Sequence, residues 1–262
     1  MADTFDISFI GSGNVAWHLA PALENSGHQV REVYSRNPEN TELLLRRLYS
    51  AEPNETLDFT NSKSKVFFIA VSDDAIQQIA CEIVLPDDAI IVHTSGSTPI
   101  ETLNYTASEY TGVFYPLQTF SKMRKLDMGD VPILIEAEHK ETLQILGTLA
   151  RSISKNVYKV NSRDRLIAHI SAVYACNFSN YLYGMAEKML NNAGLDFDLL
   201  KPLIAETVNK SFEIGPYDAQ TGPAVRGDLR TLDKHIEVLK DSDAAKVYTL
   251  LSQLILDEYG AE

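Results

Sequence analysis

A glycine-rich turn directly follows the first apolar run of the chain, and its spacing suits the binding of a diphosphate. The run ends at residue 10 and leads into the pattern Gly-x-Gly-x-x-Ala at Gly11, Gly13 and Ala16. Gly11 permits a tight turn, Gly13 lets backbone N–H groups approach phosphates, and Ala16 lets the next helix pack closely on the strand. That helix, predicted over residues 15–24, directs its partly positive N-terminus at the same point. The pattern predicts a dinucleotide site made by Gly11, Ser12, Gly13, Asn14 and Val15, although a purely structural turn is the alternative.

The end of the second predicted strand, residues 29–34, indicates which dinucleotide is bound. An acidic residue there would bind the free ribose hydroxyls of NAD, but Ser35, Arg36 and Asn37 follow instead. A hydroxyl, a guanidinium and an amide suit the extra 2′-phosphate of NADP, so the sequence predicts NADP as the cofactor. The alternative is that Arg36 is a solvated loop charge and that Asn37 and Pro38 begin a helix.

A first polar segment follows the predicted central strand of residues 65–71. Ligands bind at the carboxyl ends of strands in open α/β sheets, so we expect Val71, Ser72 and Asp73 to face the ribose of the cofactor. The acidic side chains of Asp73 and Asp74 can equally cap the helix that follows, which has helical periodicity up to residue 84.

A second polar segment follows the predicted strand of residues 89–93. His93 ends this strand, and it can supply a proton to a substrate or simply be hydrogen-bonded beneath the sheet. Ser95 and Gly96 are predicted to contact cofactor or substrate. Ser97 or Thr98 can instead cap a helix that begins near Pro99.

The third segment follows the predicted strand of residues 112–114. Here Gln118 and Thr119 can present an amide and a hydroxyl to a substrate, and Phe120 can form a wall of the pocket. A rigid turn between domains would require the same proline and aromatic residues.

Three polar residues of the C-terminal half are further candidates. His169 and Asn177 stand among apolar and small residues of a long predicted helix, about 80° apart around its axis and about 12 Å along it. They can line one groove, although a buried helix histidine is more often a hydrogen-bonded core group. Arg226 lies in a loop with two glycines and a proline, where it can bind an anion while Asp228 holds the guanidinium or caps the next helix.

The elements that must position these residues change character after residue 160. Short apolar strands alternate with helical segments up to that point, which predicts a Rossmann-like, doubly wound, mostly parallel sheet over residues 1–160. Residues 161–262 are nearly all helical, with a long amphipathic helix over 163–192 and further helices over 197–212, 230–240 and 244–259. The sequence therefore predicts a dinucleotide-binding domain and an all-α C-terminal domain, with the substrate in a cleft between them.

Composition excludes several classes of partner. A formal net charge of −13 over 262 residues argues against nucleic acid, while leaving local phosphate recognition possible. The sequence has neither an apolar leader nor a membrane-spanning run, so we expect a cytoplasmic protein without a membrane partner. The spacing of the six histidines predicts no metal site, and Cys81 and Cys176 are expected to be buried thiols.

Taken together, these segments resemble the family that joins a Rossmann-like NADP-binding domain to a C-terminal domain of unknown function, DUF2520. The resemblance rests on the glycine turn, residues 93–96, residues 115–120, the helix up to Asn177 and Phe178, and residues 221–228 followed by His235. That family is similar to the pyrroline-5-carboxylate reductases and the β-hydroxyacid dehydrogenases. The resemblance implies an NADP-dependent oxidoreductase that forms a homodimer through its helices.

Two departures from these relatives shape the expected chemistry. Many relatives have His where this chain has Tyr115, so a general acid there requires the phenol to replace it. The β-hydroxyacid dehydrogenases place a catalytic lysine where this chain has Val173 and Tyr174, which disfavours oxidation of a β-hydroxy acid. We therefore expect reduction of a small, anionic C=O or C=N substrate, with His93 or His169 as proton donor, Ser95 and Asn177 positioning the substrate, and Arg226 binding its anionic group. The alternative is a non-catalytic NADP-binding sensor.

Overall fold

The structure is a computed structural model, and it describes residues 3–260. The chain divides into two compact units, of which the first ends at Cys176 and the second begins at Asn177. The change of residue pattern at position 161 therefore lies within the first unit, at the start of its last helix.

The first unit alternates strands with helices. Its strands are β1 (Asp6–Ile10), β2 (Gln29–Tyr34), β3 (Glu52–Asn54), β4 (Val66–Ile69), β5 (Ile90–His93), β6 (Tyr110–Pro116), β7 (Ile133–Ala137) and β8 (Val157–Lys159). Its α-helices are α1 (Asn14–Asn25), α2 (Pro38–Leu45), α3 (Asp73–Glu82), α4 (Lys140–Ile153) and α5 (Ser162–Ala172), and a 3-10 helix spans Ile100–Tyr105.

The eight strands form one sheet in the order β3-β2-β1-β4-β5-β6-β7-β8. All neighbours are parallel except β6 and β7, which confirms the predicted mostly parallel, doubly wound sheet. The strand order reverses between β1 and β4, and the crevice at the carboxyl ends of two such strands is where this class of sheet binds its ligand.

The central strands β4 and β5 are buried on both faces, because their side chains alternate between two faces that are each covered by a core. On one face, Phe9, Phe68 and Phe114 belong to a core that also includes apolar residues of α1 and α4. On the other face, Phe67 and Ile91 belong to a second core with α3. With both faces covered, the polar edge at the carboxyl ends of the strands is left for ligands.

The second unit is entirely helical in its described part, as predicted. The π-helical turn Val173–Phe178 leads into α6 (Ser179–Asn192), a 3-10 turn Phe197–Leu199, α7 (Lys201–Ile214), α8 (Pro216–Ala219), α9 (Leu229–Leu239) and α10 (Asp243–Tyr259). No helix within residues 3–260 is both long enough and apolar enough to span a membrane.

One local prediction is wrong, and one strand has no counterpart among the predicted elements. Cys81 and Cys176 are exposed, because Cys81 lies on the outer face of α3 and the π-helical turn that holds Cys176 buries none of its residues. The edge strand β3 was missed, because Glu52, Pro53 and Asn54 have no apolar alternation.

Candidate functional site

The first glycine of the turn after β1 is required by its backbone and its neighbours. Gly11 has φ of +110°, and a Cβ there would overlap the carbonyl oxygen of Ala70 at the end of β4. Its N–H donates to the carbonyl of Tyr34 at 2.7 Å, which ties the turn to the end of β2. Since L side chains rarely adopt this φ, only glycine lets the chain turn here.

The N-terminus of α1 presents backbone donors without any side chain that competes for them. Gly13 is the N-cap residue, so no side chain accepts the first N–H groups, and the first turn carries no acidic residue. Gly13 is also exposed, and a Cβ there would meet only the Ala70 oxygen, at 3.8 Å. Free N–H groups and the positive end of a helix dipole suit a diphosphate.

A cavity of about 440 Å³ opens at this turn and collects most of the predicted cofactor contacts. Ten of the thirteen line it: Gly11, Ser12, Gly13, Asn14, Val15, Ser35, Arg36, Asn37, Val71 and Ser72. The remaining three, Asp73, Ser95 and Gly96, lie outside its lining. Sequence reasoning missed Tyr34, Asn40, Ala70, Ala75, Ile79 and Lys122, which also line it. Lys122 comes from the loop after β6, and no motif indicated that this loop reaches the cavity.

The tip of β2 supplies the charge expected for a 2′-phosphate. Arg36 is exposed on the cavity lining and forms no ion pair in the described part of the chain. A hydrogen bond from Ser72 is the main cause that lowers the pKa of Asp74, and the charge of Arg36 contributes to the same shift. Asn37 also caps α2, because its side-chain oxygen accepts from the N–H of Glu39 at 3.0 Å. The helix-start interpretation of Asn37 is therefore confirmed.

The loop after β5 is shaped by Ser95. The Ser95 hydroxyl oxygen accepts from the N–H groups of Ser97 and Thr98 at 3.1 and 3.0 Å. The predicted helix cap by Ser97 or Thr98 is wrong, because the 3-10 helix begins after Pro99 and the N–H of Ile100 donates to Ser162 instead. Ser95 therefore fixes the turn in which Gly96 lies.

Asp73 connects this loop to the neighbouring strand end. It lies in the first turn of α3, after the N-cap residue Ser72, and its carboxylate accepts a hydrogen bond from the Ser97 hydroxyl. The cap interpretation of Asp73 is therefore wrong, because the residue begins the helix rather than preceding it. This hydrogen bond links the segment that follows β4 to the loop that follows β5.

His93 is fully buried at the end of β5. Its Nδ1 accepts from the N–H of Ser95 at 3.2 Å, and its Nε2 has no partner among the described residues. Burial, with the positive charge of Arg165 as a second cause, lowers the pKa of His93 to about 3. The ring is therefore neutral near pH 7 and hydrogen-bonded within the fold.

Tyr115 and His169 form a polar pair beside this loop. The Tyr115 hydroxyl lies 3.0 Å from His169 Nδ1, and the two rings meet edge to face with centroids 6.0 Å apart. A Cβ on Gly96 would lie 2.7 Å from Tyr115 Cζ and 2.8 Å from His169 Nδ1. Burial, and then the charge of Asp73, raises the pKa of Tyr115 to about 12. The sequence singled out each residue separately, but only the fold brings β6 and α5 together.

The residues 118 and 119 lie in the turn after β6. Gln118 and Thr119 are exposed, and the Gln118 side-chain oxygen accepts from the N–H and hydroxyl of Thr119 at 2.8 and 3.2 Å. Phe120 packs on the first core and faces His18 at 5.5 Å between ring centroids. These contacts are those expected of a rigid turn.

Asn177 and Arg226 belong to the second unit. Asn177 lies in the π-helical turn, and both side chains are exposed. Asp228 caps α9, because its carboxylate accepts from the N–H and hydroxyl of Thr231 at 3.1 and 2.7 Å, and it forms no ion pair with Arg226. The described residues contain no group of three His, Cys, Asp or Glu side chains placed to hold a metal ion.

A glycine turn at the switch point of a doubly wound sheet defines a dinucleotide-binding protein of the Rossmann class. Comparison with family models refines this class. Residues 6–96 match the family described as NADP oxidoreductase, coenzyme F420-dependent, and residues 131–255 match the domain of unknown function DUF2520. A comparison with curated proteins gives no significant match.

Solved structures with similar folds match nearly the whole chain. A candidate NADP oxidoreductase from Bacteroides fragilis is 37% identical, has a TM-score of 0.89, and matches over 98% of this chain and 100% of its own. A Thermotoga maritima protein is 20% identical with a TM-score of 0.72, over 97% of this chain and 98% of its own. A reductive aminase from Aspergillus terreus, solved with NADPH and ethyl levulinate, is 15% identical with a TM-score of 0.70, over 99% of this chain and 97% of its own.

The chain therefore belongs to the family of NADP oxidoreductases that carry a DUF2520 domain. It is an oxidoreductase, and NADP is the cofactor of this family, as the sequence predicts.

Proposed function

We propose that this protein uses NADPH to reduce the C=O or C=N bond of a small anionic substrate, with Tyr115 and His169 as a proton-donating pair. The observation that carries this proposal is the 3.0 Å contact between the Tyr115 hydroxyl and His169 Nδ1. The fold of the chain is similar to that of a reductive aminase and of an imine reductase, two enzymes that act on C=N bonds, which supports the C=N alternative.

The cofactor is held, in this proposal, by the turn after β1 and the tip of β2. Backbone N–H groups of residues 13–15 bind the diphosphate, and Arg36 with Ser35 binds the 2′-phosphate. Lys122 adds a cation to the same cavity. When bound, NADPH supplies the hydride that adds to the substrate carbon. Ser95 and Gly96 form the loop next to the reacting groups.

The nitrogen or oxygen of the substrate must gain a proton as its carbon gains the hydride. The Tyr115 hydroxyl can donate that proton, and His169 Nδ1, when it carries a proton, lies close enough to return it to the phenol oxygen. Because the pKa of Tyr115 is raised to about 12, a free phenolate is unfavourable, and a proton from His169 avoids it. The raised pKa therefore favours transfer through the pair over transfer from Tyr115 alone.

The other candidate residues take supporting roles. His93, whose pKa is lowered to about 3, is a neutral imidazole near pH 7 and therefore a very weak acid, so we assign it to positioning Ser95 rather than to proton transfer. Asn177 and Arg226 lie in the second unit with exposed side chains, and we propose only that the amide of Asn177 offers hydrogen bonds and that Arg226 can bind an anionic group.

The test is loss of NADPH absorbance with a panel of cyclic imines and small keto acids, the latter with and without ammonium. Any turnover should fall by about 100-fold or more in Tyr115→Phe and in His169→Gln, since one proton-transfer group contributes roughly that much. The matched control is Tyr110→Phe, a change on the same strand at its other end. Full turnover by Tyr115→Phe would exclude the phenol as donor. Tight NADPH binding with an inert panel would favour a nucleotide-binding role instead.

We further propose that the helical unit joins two copies of the chain into a homodimer. Among its described residues only Ala219, Ala224, Leu232 and Ala245 are buried apolar side chains, while Leu203, Phe212, Leu250 and Leu254 are each at least half exposed. An exposed apolar surface of this kind marks an interface. Sedimentation equilibrium should give twice the chain mass, and Phe212→Glu should weaken the dimer while Tyr49→Glu, on the first unit, should not. A monomer at micromolar concentration would refute the proposal.

A further inference from the structure

A second cavity lies along α1 and the segment that follows it, from residue 17 to residue 26, with Arg47 also in its lining, and it belongs wholly to the first unit. Its volume is about 980 Å³, and it is lined by one face of α1, the end of α4 and the loop between β6 and β7. Lys122 also lines the cofactor cavity, and it is the lining residue that the two share. We call this cavity the basic pocket.

Positive charge converges on the basic pocket. Arg47, Lys122, Arg124 and Lys125 line it, against the single carboxylate of Asp127. Asp127 accepts from the N–H of Gly129 at 2.9 Å, and none of the four cations forms an ion pair in the described residues. This arrangement is unusual in a chain with a net charge of −13, where carboxylates are plentiful. Four cations against one carboxylate favour an anionic ligand.

Two of these cations are held over an indole ring. The Arg47 guanidinium lies 4.3 Å and the Lys122 ammonium 5.1 Å from the centre of the Trp17 ring, and Arg47 also donates to the carbonyl of Trp17. Cation–π contacts of this kind place the charges without neutralising them. Trp17 is the one tryptophan of the chain, so its fluorescence reports on this pocket.

The loop that carries three of the cations is anchored to the fold. The His18 ring nitrogen Nε2 lies 2.9 Å from the carbonyl oxygen of Ser121, and Phe120 packs against the core of the sheet. The loop therefore keeps Lys122, Arg124 and Lys125 near α1 before any ligand arrives, which lowers the entropy cost of binding one.

We propose that the basic pocket is a second anion site, distinct from the cofactor site, that binds an oligophosphate group. Two guanidiniums offer paired donors that match phosphate oxygens, and two lysines add point charges, a set that suits several adjacent phosphates better than a single carboxylate. The ligand class is therefore a small molecule that carries two or more linked phosphates. The proposal does not depend on the identity of the substrate.

The experiment is a titration of the full chain with pyrophosphate and with tripolyphosphate, first without nucleotide and then while NADP⁺ saturates the cofactor site. Binding is followed by Trp17 fluorescence and by calorimetry. The Arg124→Gln/Lys125→Gln double variant should bind both anions at least about tenfold more weakly, because each lost charge-assisted contact is worth roughly that factor. Its affinity for NADP⁺ should be unchanged. Lys63→Gln, an exposed lysine that does not line the pocket, is the matched control.

Three outcomes would overturn the proposal. The first is the absence of a signal with either anion. The second is loss of the signal once NADP⁺ is saturating, since the anion would then occupy the glycine turn. The third is an equal effect of the Lys63→Gln control and the double variant, which would indicate general attraction to surface charge.

Discussion

Arg165 and Glu136 form a buried ion pair that fixes α5 against β7. The Arg165 side chain is 1% exposed, and its guanidinium donates to the Glu136 carboxylate and to the carbonyl of Thr98. The hydroxyl of Ser162 donates to the same carboxylate at 2.9 Å. Arg165 lies one helical turn before His169, so this pair sets the position of the His169 ring relative to the loop that contains Gly96.

Removal of one partner should therefore affect both stability and the Tyr115–His169 contact. Arg165→Met leaves the Glu136 carboxylate buried without its cation, which we expect to lower the free energy of unfolding by about 3–5 kcal/mol. Arg165→Met/Glu136→Leu should recover part of that loss, since no unpaired charge remains. Lys155→Met is the control, because its pairing with Asp130 is exposed and should be worth less than about 1 kcal/mol. Urea unfolding measures all three, and equal losses in Arg165→Met and Lys155→Met would contradict the assignment.

Gly96 leaves the space in which Tyr115 and His169 meet. A methyl group at Gly96→Ala would lie under 3 Å from both rings, so they must separate or the loop must shift. We expect a loss of stability of about 1–3 kcal/mol and changed NMR chemical shifts of the His169 ring. Gly184→Ala has open space around its Cβ and serves as the control. Unchanged chemical shifts of the His169 ring in Gly96→Ala would show that the contact does not depend on this glycine.

Substitutions at the two glycines of the first turn should have different effects on folding and on cofactor binding. Gly11→Ala meets both a positive φ and the Ala70 carbonyl, so we expect a lower melting temperature together with lost NADPH binding. Gly13→Ala has room within the fold but adds a methyl where the diphosphate is expected, so its melting temperature should remain and its NADPH affinity should fall. Calorimetric scanning and NADPH titration distinguish the two. Wild-type affinity in Gly13→Ala would place the diphosphate elsewhere.

Arg36 should discriminate between NADPH and NADH. Arg36→Glu replaces a cation at the cavity with a carboxylate, which should weaken NADPH by about 100-fold and NADH by much less, because only NADPH carries the 2′-phosphate. Arg46→Glu, at the exposed residue that directly follows α2, is the control. If fluorescence titrations showed equal losses of affinity for NADPH and NADH, Arg36 would not bind the 2′-phosphate.

The glycine turn and the sheet could be predicted from the sequence because their signals are local. The spacing of Gly11 and Gly13 predicts the turn, and continuous hydrophobicity predicts the strands β4 and β5. Ten of the thirteen predicted cofactor residues line one cavity. Features that depend on contacts between distant parts of the chain could not be predicted from the sequence. Lys122 reaches the cavity from a loop more than one hundred residues after the turn, and β3 pairs with β2 through its backbone.

The polar residues His93, Tyr115 and His169 also show that tertiary contacts cannot be predicted from local sequence. His93 ends a strand, and in sequence this is compatible with a proton donor as well as with a buried ring. Its complete burial and the hydrogen bond from Ser95 favour the buried ring, and neither could be predicted from the sequence. Tyr115 was considered for the role of a missing histidine, yet nothing local links it to His169, which lies 54 positions further along the chain. Proton-transfer pairs of this kind depend on tertiary contacts, so composition and spacing find their members but not their pairing.

Burial of His93 should make the stability of the protein depend on pH. The unfolded ring takes up a proton near its ordinary pKa of 6.5, whereas the folded ring, with a pKa of about 3, stays neutral, so acid favours the unfolded state between these two values. From pH 7 to pH 5 this group alone should lower the free energy of unfolding by about 2 kcal/mol. His93→Gln removes the titrating group. The variant should therefore lose about 2 kcal/mol less unfolding free energy than the wild type between pH 7 and pH 5, whatever its stability at pH 7. Urea unfolding at the two pH values measures the difference, and parallel losses in the two proteins would show that His93 is not held neutral by burial.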